Sequence, residues 1–98
     1  VILDEYADGL HFFFSLGSPL SCQDFVIEQG ECLDLTEQII KVYQSMADLS
    51  RSYDKEHYVI AFNAYWTLLK GLSFTVEEAL EAYDKKLAVN YKRQENHY

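Results

Sequence analysis

The sequence predicts an all-α domain of about four helices, and three observations carry the prediction. Apolar residues recur at three- and four-residue intervals in four separate segments, the spacing that lines one face of a helix. Capping signals stand in front of three of those segments. No segment of four to eight residues alternates strictly between apolar and polar, and no internal repeat of about 20 to 50 residues is visible.

In the first segment Ile2, Leu3, Tyr6, Ala7, Leu10, Phe13, Phe14 and Leu16 cover a broad apolar arc, while Asp4, Glu5, Asp8, His11, Phe12 and Ser15 fill the remaining sector. Gly17 supplies a C-terminal turn and Pro19 prevents continuation. Ser18 to Leu33 reads as a loop with a short helical turn. Asp34-Leu-Thr-Glu37 offers two candidate N-caps, with Glu37 three residues after Asp34 as in a capping box, for a second helix bearing Ile39, Ile40, Val42, Tyr43, Met46 and Leu49. The pattern breaks around Arg51 to Asp54. Asp54 caps a third helix carrying Tyr58, Val59, Ala61, Phe62, Tyr65, Trp66, Leu68 and Leu69, which Lys70-Gly71 is expected to end. Thr75-Val-Glu-Glu78 is a capping box for a fourth helix through Val76, Leu80, Tyr83 and Leu87 toward Tyr98. Short and medium connections suggest an antiparallel bundle. The apolar arcs are wider than four helices of one chain can cover, which points to a twofold homodimer or to further helices.

The 98 residues suffice for one small domain. Sixteen acids against eight bases give a net charge of −8, which repels a phosphate backbone, so nucleic acid is not an expected partner. No stretch reaches the roughly 18 to 20 apolar residues of a spanning helix, and the start lacks the basic residues of a signal peptide. Cys22 and Cys32 have no C-x-x-C spacing and read as reduced thiols of a cytoplasmic protein. Val1-Ile2-Leu3 begins inside an apolar helical pattern with no cap and no initiator methionine, as a fragment would. His57 reads as an exposed polar residue and Trp66 as core. Ser15 and Ser21 have no histidine and acid arranged to activate them, so no hydrolase triad is readable.

Two stripes carry chemistry. Glu5 and Asp8 stand three apart on one helical face, where two like charges repel unless a cation lies between them; Mg²⁺ prefers such oxygen ligands and keeps several waters. The bland alternative is a pair of acids in a first helical turn, favoured by the macrodipole. On the last helix Lys86, Asn90, Arg93 and His97 follow i, i+4, i+7, i+11. Such a stripe can grip phosphate oxygens, or merely complement the negative end of the helix.

The stretch LDEYADGLHFFFSLG resembles the E-x-x-D-x-x-H-F helix of the dimeric all-α dUTPases, and KKLAVNYKRQENHY resembles their K-x-x-x-N-x-x-R-Q closing motif. YWTLLKGLSFTVEEALEAY looks like the linker between the family's last two long helices. The resemblance implies an all-α nucleoside triphosphate pyrophosphatase fold, a homodimer, and Mg²⁺-dependent hydrolysis of dUTP to dUMP and pyrophosphate. By that resemblance Glu5 and Asp8 match the second of two acidic pairs that hold Mg²⁺ and are the catalytic carboxylates. His11 and Phe12 match residues lining the uracil site, Phe12 stacking on the base. Lys86, Asn90 and Arg93 match phosphate-gripping positions, and Tyr98 a tyrosine closing the same motif. Asp4 matches nothing catalytic and reads as a solvated neighbour.

His97 stands where the family commonly has glycine. The family's first acidic pair, E-x-x-E, has no counterpart in place, since Glu28/Glu31 is broken by Gly30 and Glu78/Glu81 lies near the start of the last helix. The chain therefore reads as the C-terminal portion of the enzyme, with the N-terminal helices and most base-reading residues missing. A related pyrophosphatase acting on dCTP, or a non-catalytic helical interaction module, are the competing readings.

Overall fold

Capping decides where three of the helices begin, and packing between their faces decides how they meet. The computed structural model describes residues 2–20, 28–32 and 34–95, and of 90–95 the backbone alone. Cys22, His97 and Tyr98 lie outside the described residues. Helix α1 spans Ile2–Gly17 and runs into a 3₁₀ turn at Ser18–Leu20; α2 spans Leu35–Arg51, α3 Lys55–Gly71 and α4 Val76–Glu95. Among the described residues there is no strand.

Asp34 caps α2 by accepting from the Thr36 N–H at 2.9 Å, and Asp54 caps α3 by accepting from the His57 N–H at 2.9 Å. The box ahead of α4 closes in both directions: Glu78 N–H donates to Thr75 Oγ1 at 3.1 Å, and Thr75 N–H donates to Glu78 Oε1 at 3.0 Å.

Helix α3 ends at Gly71, as expected, but the glycine does not make the turn that stops it. Gly71 is helical, and the left-handed residue is Ser73, with φ of 63°. Phe74 N–H donates to the Leu69 carbonyl and Ser73 N–H to the Lys70 carbonyl, the two bonds of a Schellman turn. Glycine is needed at 71 for a different reason: a Cβ there would lie 2.6 Å from Cys32 Sγ and 2.9 Å from Leu35 Cδ1. The close approach of the segment before α2 to the end of α3 takes the space of a side chain.

The core is built from Tyr6, Leu10 and Phe13 of α1, Leu49 of α2, Tyr58, Ala61, Phe62 and Leu69 of α3, and Ala79 of α4. Phe13 sits 4.9 Å from both Phe62 and Tyr65, ring centroid to centroid. Tyr65 and Trp66 pack against this core, half-buried. Three tyrosine hydroxyls tie α1 and α3 together through backbone carbonyls, two reaching from α3 to α1 and one from α1 to α3. Tyr58 Oη donates to the Phe13 carbonyl at 2.6 Å; Tyr65 Oη donates to the Tyr6 carbonyl and Tyr6 Oη to the Tyr65 carbonyl, each at 2.6 Å. The Tyr6 and Tyr65 rings stack at 4.3 Å with planes 6° apart. Burial pushes both phenols well above their ordinary value, joined for Tyr6 by the charge of Tyr65 and for Tyr65 by that of Asp8. They stay protonated and keep donating.

Helix α4 runs antiparallel to α1, with Tyr83 against His11 and Phe14 and Lys86 beside Asp8. Helices α2 and α3 form a hairpin in which Gln38 Nε2 donates to the Ala64 carbonyl at 2.8 Å. The apolar stripe of α2 largely faces outward. Leu35, Ile39, Ile40 and Tyr43 are exposed, while the polar Gln38 is buried together with Leu49. This leaves the uncovered apolar surface that the arcs anticipate.

Asp54 also reaches the His57 ring, Oδ1 to Nδ1 at 2.7 Å. The backbone N–H of His57, then its ring, hold the Asp54 carboxyl below its ordinary value, and the bond to Asp54 holds the imidazole above its own. The lowered carboxyl stabilises the fold above about pH 4, and that contribution is lost as pH falls. The raised imidazole stabilises it below about pH 6.5, and that contribution is lost as pH rises through the folded value. Melting His57→Ala beside the wild type at low salt should therefore show the largest gap between about pH 4 and 6.5, closing above about pH 8. An equal gap at pH 5.5 and 8.5 would contradict the pairing.

Candidate active site

The outward sector of α1 holds Asp4, Glu5, Asp8 and Phe12, all exposed. Glu5 and Asp8 lie one turn apart on that face, as the spacing requires. From α4, Lys86 Nζ approaches Asp8 Oδ1 to 3.6 Å. That distance makes an ion pair and not a hydrogen bond, and with both side chains partly in solvent it contributes at most about 1 kcal/mol. The seam is held by packing instead. The His11 and Tyr83 rings lie 4.2 Å apart, tilted by 31°, and Phe14 meets Tyr83 edge-on at 5.2 Å.

His11 is half-buried, and its Nε2 is buried with no hydrogen-bond partner among the described residues. Phe12 stands 54% exposed, touching only the edge of Phe13 among the described rings, so one of its faces is available to a planar group. Asn90 and Arg93 fall on the stripe of Lys86 by helical spacing. Because α4 is antiparallel to α1, that stripe advances from Asp8 toward Glu5. The side chains of Asn90 and Arg93, and Tyr98 altogether, lie outside the described residues.

The other acid pairs stand elsewhere. Glu78 is used by the α4 cap, and Glu81 pairs with Lys85 at 3.4 Å. Glu28 and Glu31 border a cleft of about 510 Å³ between α2 and α3, floored by the buried Gln38 and Thr67 and shared by Lys41 and Asn63. This cleft has no residue in common with the α1–α4 seam. Among the described residues no group of three or more His, Cys, Asp or Glu side chains could hold a metal ion.

A family profile described as dUTPase matches residues 1–98, the whole of the sequence. The chain belongs to the dUTPase family. No curated protein and no solved structure matches it. The all-α architecture agrees with the dimeric all-α dUTPases. No helix among the described residues is long and apolar enough to cross a membrane.

Sequence reasoning missed two features of this dUTPase-family chain. Tyr83, placed by the sequence only as an apolar position of the fourth helix, is the ring that backs His11. Gln38 was not singled out, although a glutamine in line with Leu49 on α2, at i and i+11, is a signal for a polar group drawn into the packing.

Proposed function

We propose that the chain carries half of the site of a Mg²⁺-dependent dUTP pyrophosphatase of the cytoplasm, converting dUTP and water to dUMP and pyrophosphate. The observation that supports it most is the meeting of the two motifs across one seam, with Asp8 of the E-x-x-D helix 3.6 Å from Lys86 of the closing motif. Carboxylates beside a phosphate-gripping cation are what a metal-bound polyphosphate requires.

The donor set fits Mg²⁺ as part of a site: Glu5 and Asp8 offer hard oxygen ligands, exposed and one turn apart, to an ion that keeps several waters. Glu5 and Asp8 would hold the ion, whose chemistry when bound would be to neutralise phosphate charge and to orient a water toward the α-phosphorus. Lys86 and Arg93 stabilise the negative charge that builds on the leaving pyrophosphate, with Asn90 and Tyr98 completing the grip. Phe12 offers its face to uracil, and His11 Nε2, which lacks a partner among the described residues, can accept a hydrogen bond from substrate. The general base belongs to the first acidic pair, which has no counterpart in residues 1–98. Two copies related by a twofold axis cover the apolar stripe of α2, so that the enzyme is a homodimer with no nucleic acid or membrane partner.

Residues 1–98 alone are expected to release pyrophosphate from dUTP slowly or not at all, and a protein that adds the first acidic pair is expected to turn over dUTP with Mg²⁺. Robust Mg²⁺-dependent hydrolysis by residues 1–98 would remove the need for that pair. Turnover of dUTP, dCTP and dTTP compared side by side fixes the base, and a tenfold preference for dCTP, about 1.4 kcal/mol, would overturn the uracil assignment. Light scattering at micromolar concentration should return the mass of two chains. A monodisperse, folded monomer would refute the dimer.

A further inference from the structure

We infer that the Asp8–Lys86 pair is a mutual placeholder, each side chain occupying the charge position that a ligand takes from the other, so that the pair couples metal binding to polyphosphate binding. The inference rests on the reading above that Asp8 faces the metal and Lys86 the phosphates. It follows from charge and distance. With neither ligand present, the ammonium of Lys86 lies 3.6 Å from Asp8 and offsets the repulsion between Asp8 and Glu5 one turn away. A divalent cation arriving alone must displace that ammonium from Asp8 and then stay near it, like charge beside like charge. A polyphosphate arriving alone must draw Lys86 away, leaving Asp8 and Glu5 uncompensated beside its own negative charge. When both arrive, the cation takes the carboxylates, Lys86 turns to phosphate, and every charge is matched.

Lys86 is suited to the exchange. Its side chain is 33% exposed, so most of its stem rests on protein while the head group reaches a carboxylate that is half in solvent. A separation of 3.6 Å is too long for a hydrogen bond, which makes the pair easy to give up. By linkage each ligand raises the affinity for the other by the same factor. The pair's share of that factor is about two- to fivefold, the range an exposed ion pair supports.

Mn²⁺ titration followed by the EPR signal of the free ion, without nucleotide, tests this on the wild type, Lys86→Met and Lys85→Met, with helicity checked by circular dichroism. Lys85→Met removes the same charge one residue away, from a side chain that pairs with Glu81 at 3.4 Å. Lys86→Met should bind Mn²⁺ about two- to fivefold more tightly than the wild type, with Lys85→Met close to the wild type. Repeated with the non-hydrolysable α,β-imido-dUTP, the gain in Mn²⁺ affinity that nucleotide brings should be smaller in Lys86→Met. Lys86→Met binding Mn²⁺ no more tightly than Lys85→Met would overturn the placeholder. If Asp8→Asn meanwhile weakens Mn²⁺ binding, the metal site stands and the placeholder alone falls. If Asp8→Asn changes nothing, the metal site and the inference fall together.

Discussion

Two tyrosine hydroxyls of α3 reach the backbone of α1 at places where α1 has no side chain, and the position of the acidic pair follows from that contact. A Cβ on Gly9 would overlap the Tyr65 hydroxyl, and one on Gly17 would lie 2.5 Å from the Tyr58 hydroxyl. Each hydroxyl donates to a carbonyl one turn earlier, at Tyr6 and Phe13. The rings are buried or half-buried and stacked or edge-packed within the aromatic core, so neither can move far without disturbing Tyr6, Phe13 and Phe62. Helix α1 is thereby fixed in rotation: Tyr6, Leu10 and Phe13 point to α3, and Glu5, Asp8 and Phe12 are left on the outside. A rotation of α1 by one residue, about 100°, would carry the carboxylates off the open face.

The second constraint is the seam with α4. Ala7, Ala79 and Ala82 are buried, and small residues let two helices approach closely without leaving voids. Tyr83 and Phe14 close the seam further along, and this register brings Lys86 level with Asp8. Electrostatics contributes little to the stability of this arrangement, because the pair is long and partly exposed. Packing sets the geometry. Glu5 and Asp8 keep their hydration, since α1 is buried on two sides and open on the third.

The sequence made the caps legible because capping is local: Asp34, Asp54 and Thr75 with Glu78 each act within three residues. Gly71 stands at the helix end as expected, but its role was not legible, for the opposite reason. A glycine after lysine at a helix end suits a left-handed turn, but what it accommodates, Cys32, comes from 39 positions away. Gly9 is the same case, its partner Tyr65 lying on another helix. That some apolar surface stays uncovered was legible from the width of the arcs, but not that it lies on α2, because periodicity shows that a face is apolar without showing what covers it. The site was legible only through the resemblance. E-x-x-D and a basic stripe have bland explanations separately, and their meeting at Asp8 and Lys86 is a property of the fold.

Gly9→Ala tests the fixing of α1 most directly, because two effects predict opposite signs. Helix propensity alone would stabilise an interior helical position by about 0.5 to 1 kcal/mol. Overlap with the Tyr65 ring would instead force Tyr65 from its stack and its bond to Tyr6, a misfit that costs about 1 to 3 kcal/mol. At roughly 4 to 8 °C per kcal/mol for a domain of this size, the melting temperature should fall by several degrees. A melting temperature that holds or rises in Gly9→Ala would show that Tyr65 does not fix α1, and the placement of Glu5 and Asp8 would need another cause.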